Sequence, residues 1–189
     1  MYKKFVNREI SWLSFNDRVL QEAQDKSVPI LQRLRFLGIF SNNMDEFYRV
    51  RVATMKRLAT FGSKEKILIG KKTVKSVLSE IQKTTQKQQK KFENIYHQLI
   101  TELEQHNVFV INETQLTKEQ GLYVNKFYTE NIRPVLVPIM LQKNMSFPEL
   151  KDKPIYFAVK LSDQNNPERV NYALLDLSTD ILSLFVIIK

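Results

Sequence analysis

Ser41-Asn42-Asn43-Met44-Asp45-Glu46-Phe47 closes an apolar run and passes at once into acidic residues, and its reading decides how the first half of the chain is divided into helices. Ser41 and Asn42 are helix-capping residue types, Asp45 and Glu46 suit the positive end of a helix, and Met44, Phe47 and Tyr48 begin an apolar face. The pattern predicts a helix start here. Asn43 is not needed for that start: its amide stands at the mouth of the predicted helix, where a nucleotide can be read by hydrogen bonds.

Upstream of this stretch, Asn7 or Ser11 is expected to open a first helix in which Trp12, Phe15, Val19 and Ala23 form the apolar face, ending at Asp25-Lys26-Ser27. Ser27 as cap and Pro29 in the first turn predict a second helix. Its Leu31, Leu34, Phe36, Leu37, Ile39 and Phe40 leave it apolar nearly all round, as for a helix in the middle of a bundle. Downstream, a third helix is expected to run to about Phe61, with Gly62 as its C-cap and Met44, Phe47, Tyr48, Val52, Met55 and Leu58 facing inward. Arg49 has Asp45 and Glu46 within helical reach. Arg51 falls inside the apolar stripe with no such partner, and either snorkels at the bundle edge or turns its guanidinium toward an anion.

Residues 62–72 read as an exposed, lysine-rich loop. From Thr73 to about His106 neither proline nor glycine interrupts a helical pattern, a length of roughly 50 Å at the helical rise. Its middle, residues 82–91, holds only Gln, Thr and Lys and is expected to be a solvated exterior. At Asn107 the pattern changes. Residues 108–111 are strand-like, 112–116 turn, Thr117 opens a helix ending before Pro134, and residues 135–137, 155–159, 170–175 and 185–188 are candidate strands with a hairpin-like connection at 163–167. The expected fold class is α+β. Residues 1–106 form an antiparallel helical bundle with one long helix, and residues 107–189 form a small α/β domain with a mixed or antiparallel sheet, expected to be incomplete at Lys189.

The net charge of +9 is confined to the first of these regions: residues 1–106 carry 20 Lys and Arg against 11 Asp and Glu, residues 107–189 carry 9 against 9. A polyanion is the natural partner of such a surface, and a purely solubilising basic face is the alternative. There is no cysteine, which excludes disulfides and thiolate metal sites. Apolar runs such as residues 185–188 are too short to cross a bilayer, and no signal-peptide core is present, so a cytoplasmic location is expected, with membrane association left open.

Four glycines cannot assemble a phosphate-binding loop or a dinucleotide fingerprint. The two histidines, His97 and His106, lie nine apart on the long helix, too distant for one metal site, and are read as structural. No catalytic residue and no metal ligand is assigned.

Two stretches carry a resemblance. Residues 7–20 (NREISWLSFNDRVL) and residues 34–47 (LRFLGIFSNNMDEF), followed by Arg49-Val50-Arg51, closely resemble the N-terminal part of the bacterial polyphosphate kinases, and a looser likeness continues through Asn112-Glu113 and residues 172–175. The resemblance implies a much longer enzyme that moves the terminal phosphate of ATP reversibly onto inorganic polyphosphate through a phosphohistidine. It implies a helical N-terminal domain, a head domain that pairs subunits into a homo-oligomer, and later domains that hold the catalytic histidine and Mg2+. Neither His97 nor His106 matches the catalytic position. The family's contact to the adenine side of ATP falls on Asn43, and Met44 stands where leucine is usual. A fragment of this kind is expected to be inactive alone. The readings from other classes are a basic nucleic-acid-binding module and a pure assembly module.

Overall fold

Asn7 opens the first helix with its own side chain, its Oδ1 accepting from the backbone N–H of Glu9 at 2.9 Å and of Ile10 at 3.3 Å. The computed structural model describes residues 6–61, 68–69, 72–142, 144–151, 155–164, 166, 168, 170–177 and 185–188. The chain forms two units, Met1–Val110 and Ile111–Lys189, whereas the sequence pattern changes at 106/107, where the long helix turns off.

The first unit is helical. Helix α1 spans Arg8–Gln24, α2 spans Ile30–Glu46, a wide π-helical turn covers Phe47–Val52, and α3 continues over Ala53–Phe61. Two dipeptides, β1 (Leu68–Ile69) and β2 (Lys72–Thr73), pair antiparallel within the segment expected to be loop, and the expected Gly62 cap lies outside the described residues. Thr73 then caps α4 (Val74–Glu104), accepting from Ser76 N–H at 3.2 Å. The turn after α4 closes on Asn107, whose φ of 59° is the left-handed conformation that asparagine tolerates. Val108 N–H returns to Leu103 O at 3.1 Å, closing the helix end.

The expected helix start at Ser41-Asn42 is not there. Helix α2 runs through residues 41–46 without a break, because no proline or glycine stops it and the next turns widen instead of ending. The wide turn resolves the anomaly at Arg51. A regular period would place Arg51 one turn below buried Phe47; the extra residue of a π turn puts Val52 there, and Val52 and Met55 are buried in its place. Tyr48 and Leu58, expected inside, remain partly exposed.

The first helix has the expected period in a different phase. Its buried residues are Leu13, Asn16, Leu20 and Ala23, and Phe15 is 61% exposed. Asn16 takes a core position because its amide finds partners there. Helix α2 is not buried all round: Arg33, Leu37 and Phe40 face inward while Leu31 and Ile39 are exposed, since its two neighbours α1 and α4 cover only one side. Ser27 does not cap it; its N–H donates to Asp25 Oδ1 at 2.9 Å, a bond that holds the Asp25 carboxyl below its usual range, and Pro29 takes the capping position.

The segment 82–91 is only partly solvated. Lys83, Lys87 and Lys90 face out, but Thr85 and Gln88 are buried against the other helices, and Lys91 pairs with Asp17 at 3.2 Å. Gln88 Nε2 donates to Leu13 O at 2.8 Å, and its Oε1 is buried without a partner among the described residues. Gln88→Met keeps the length and removes that orphaned acceptor, so its stability in urea unfolding should lie within about 1 kcal/mol of the parent. Gln88→Ala should instead cost about 2 kcal/mol, from the cavity. A large loss in Gln88→Met would mean that the bond to Leu13 is worth more than this balance allows.

In the second unit Thr117 and Gln120 form a reciprocal capping box that starts α5 (Lys118–Phe127). The helical path continues through a π turn, Tyr128–Ile132, and a 3-10 turn, Arg133–Val135, so it passes Pro134 instead of ending before it; a first-turn proline lacks only an N–H that the turn does not use. Strands β3 (Pro138–Leu141), β4 (Ile155–Ser162) and β5 (Val170–Leu177) form an antiparallel sheet of order β3-β5-β4. The strand expected at residues 135–137 lies instead at Pro138–Leu141, because the 3-10 turn carries the helical path through Val135; Pro138 begins an edge strand, a place proline tolerates. Residues 108–111 and 185–188 are not strands. Of the connection at 163–167, Asn165 and Pro167 lie outside the described residues. The α+β class is as expected, and the sheet is antiparallel.

Candidate functional site

Asn43 lies near the C-terminal end of α2, within the helix and not at its mouth. Its Nδ2 donates to Asn16 Oδ1 across the α1–α2 interface at 2.9 Å, and Asn16 Nδ2 donates to Phe40 O at 3.4 Å. Asn16 is 0% exposed. A backbone carbonyl accepts and never donates, so Phe40 O fixes which way the Asn16 amide faces, and Asn16 Oδ1 in turn draws the Nδ2 of Asn43 inward. The Oδ1 of Asn43 accepts no hydrogen bond among the described residues and retains contact with solvent.

The two arginines near it are engaged within the fold. Arg51 Nη1 reaches Glu9 Oε2 at 3.1 Å, a partner supplied by α1 that spacing within its own helix could not reveal. Arg49 Nη2 lies 2.5 Å from Glu46 Oε2 and 3.9 Å from Asp45 Oδ2. On the α4 side of α2 a groove of about 550 Å³ is lined by Phe40, Met44, Tyr48, Thr85, Gln89 and Phe92 among others, with Tyr48 Oη and Thr85 Oγ1 2.8 Å apart. Asn43 does not line it: the residue faces α1.

His97, on α4, and His106, in the turn just beyond its end, are both exposed and border a shallow groove with Arg33 and Glu102. Among the described residues no group of three or more His, Cys, Asp or Glu is placed to share a metal ion, and no helix is long and apolar enough to cross a membrane. The burial of Asn16 and of Gln88 is not visible in the sequence. The available signal for Asn16 was the alternative helical register 13, 16, 20, 23, which is apolar except at one amide; Gln88 gave none, being one glutamine among several.

The family model described as the polyphosphate kinase N-terminal domain matches residues 5–111, and that of the polyphosphate kinase middle domain matches residues 119–189. Polyphosphate kinase from Vibrio cholerae serotype O1 is 41% identical over 187 residues, and that from Escherichia coli strain K12 is 36% identical over 185. These matches cover 98% and 97% of this chain and 26% of each relative, so the chain spans about a quarter of their length. The crystal structure of polyphosphate kinase from Porphyromonas gingivalis superimposes with a TM-score of 0.72 at 33% identity, covering 95% of this chain and 26% of that one. The chain therefore belongs to the polyphosphate kinase family and carries that family's N-terminal domain followed by sequence of its middle domain.

Proposed function

We propose that this chain is the nucleotide-side portion of a polyphosphate kinase that transfers the terminal phosphate of ATP reversibly to inorganic polyphosphate, and that Asn43 contacts the adenine side of ATP. The observation that carries the first part is the continuous likeness to polyphosphate kinases over 98% of the chain. The second part is supported by an amide that is fixed on one edge and open on the other. The phosphohistidine and the Mg2+-binding residues are assigned to domains outside this chain, and no step is routed through a metal here. A cytoplasmic location and subunit pairing through the second unit belong to the same proposal. Pairing is favoured by the sheet face on which Met140, Ile155, Phe157 and Leu161 stand together and exposed.

In the full-length protein that carries this segment, Asn43→Ala should raise the KM for ATP by about 2- to 12-fold, the range for one lost hydrogen bond. An unchanged affinity in a folded variant removes Asn43 from the site. The isolated chain should form no polyphosphate from ATP, and synthesis by it would overturn the assignment of the chemistry to other domains.

A second reading rests on Lys83, Lys87 and Lys90, exposed on one face of α4, as a nucleic-acid-binding stripe. It requires RNA or DNA affinity that falls steeply with added salt.

A further inference from the structure

We propose that Asn16 is a positioning residue that sets base selectivity: by holding the Nδ2 of Asn43, it makes Asn43 present only an acceptor, so that the site favours a purine with an amine at its 6-position. The inference rests on the reading of Asn43 as a nucleotide contact and adds which edge of the base that contact can read.

An asparagine amide left to itself turns about its last torsion and offers either a donor or an acceptor, and so reads an amine and a carbonyl alike. Asn43 is not left to itself. Its donor edge is used at 2.9 Å by Asn16 Oδ1, and Asn16 is anchored by Phe40 O on its other side. Turning the Asn43 amide over would set two oxygens against each other. Turning both amides over would set Asn16 Oδ1 against Phe40 O. Asn16 is 0% exposed, so water cannot replace the partner lost in either case. The outward-facing atom of Asn43 is therefore Oδ1, which accepts nothing among the described residues and reaches solvent. A 6-amino group donates to such an oxygen. A 6-oxo group meets it as a second acceptor with no proton between them.

The test compares ATP with inosine triphosphate, which carries a 6-oxo group, in the full-length kinase containing this segment. The unmodified enzyme should prefer ATP in kcat/KM. Asn16→Ala, which frees the Asn43 amide, should reduce that preference by about 2- to 12-fold. Asn16→Asp keeps an oxygen for Asn43 Nδ2 and, held neutral by burial, donates its O–H to Phe40 O in place of the amide N–H, and so should restore it. A merely structural role for Asn16 would lower activity toward both nucleotides in proportion and leave the ratio unchanged, and that outcome overturns the proposal. If Asn43→Ala leaves ATP affinity unchanged, the nucleotide reading itself fails; if Asn43→Ala weakens ATP binding while Asn16→Ala leaves the ratio intact, the contact stands and the positioning role falls. Should neither Asn16 variant fold, side-chain amide exchange by NMR in the unmodified protein decides: one Asn43 Nδ2 proton exchanging more slowly than the other supports the proposal, and equal exchange of the two overturns it.

Discussion

Phe47→Ala should destabilise the helical unit by about 3–5 kcal/mol, the range for truncating a buried aromatic side chain. Phe47 is 1% exposed and lies in the cluster formed with Leu13, Val52, Met55, Val74, Val77 and Ile81. Its ring stacks on Trp12 with centroids 4.6 Å apart and planes 7° from parallel, and meets Tyr48 edge-on at 6.1 Å. Such pairs contribute beyond their buried area. The residue also opens the π turn, so its loss removes the side chain that fixes where the helix changes phase. Against a total stability of about 5–15 kcal/mol for an ordinary domain, this single change removes a large part. Urea unfolding followed by far-ultraviolet circular dichroism should show a lower midpoint with little change in slope. Phe15→Ala supplies the contrast. At 61% exposure it should shift stability by no more than about 0.5 kcal/mol. Equal losses in the two variants would contradict the phase of α1 described here.

That contrast shows what a helical period can and cannot convey. The residues of α1 were legible as an amphipathic helix, but two faces one residue apart both have helical spacing. The more apolar one, with Trp12, Phe15 and Val19, was expected inside. Burial follows the other, because Asn16 gains partners from α2 that no local pattern reveals. The segment 41–47 shows a different limit. Serine, asparagine and acidic residues favour a helix start, yet they also tolerate a helix interior whose neighbours are already packed, and α2 passes straight through them. Arg51 did carry a legible signal: an arginine on an apolar stripe is what a regular period shows when the true structure contains a wide turn. Asn43 was legible as a candidate from its residue type and from the family resemblance. Its fixed donor edge was not, since that depends on a contact 27 residues away in sequence. Arg33 gave no signal either, an arginine beside leucines being equally readable as an exposed one.

Arg33→Ala should cost about 2–4 kcal/mol, the second large effect. Arg33 is 2% exposed. Its Nε donates to Ala23 O at 3.0 Å, and its Nη1 donates to Glu102 Oε2 at 2.8 Å and to Oε1 at 3.0 Å. Ala23 O belongs to the last turn of α1, where carbonyls lack helical partners. One guanidinium thus joins the end of α1, the first turns of α2 and the last turn of α4. Truncating one member of a fully buried pair costs about 3–5 kcal/mol, and the present estimate is lower because the Glu102 side chain remains 33% exposed and can recover water. Lysine cannot serve both acceptors, since it lacks the planar fork, so Arg33→Lys should recover only part of the loss. In a double-mutant cycle, Arg33→Ala combined with Glu102→Gln should show a coupling of about 1–2 kcal/mol that changes little with added salt, because the arginine is shielded from ions. A coupling near zero would mean that Arg33 acts through the Ala23 carbonyl and its own packing. A coupling that disappears with salt would mean that the pair behaves as a surface contact, and that α2 and α4 are held together at this end by Leu37, Ile95 and Leu99 instead.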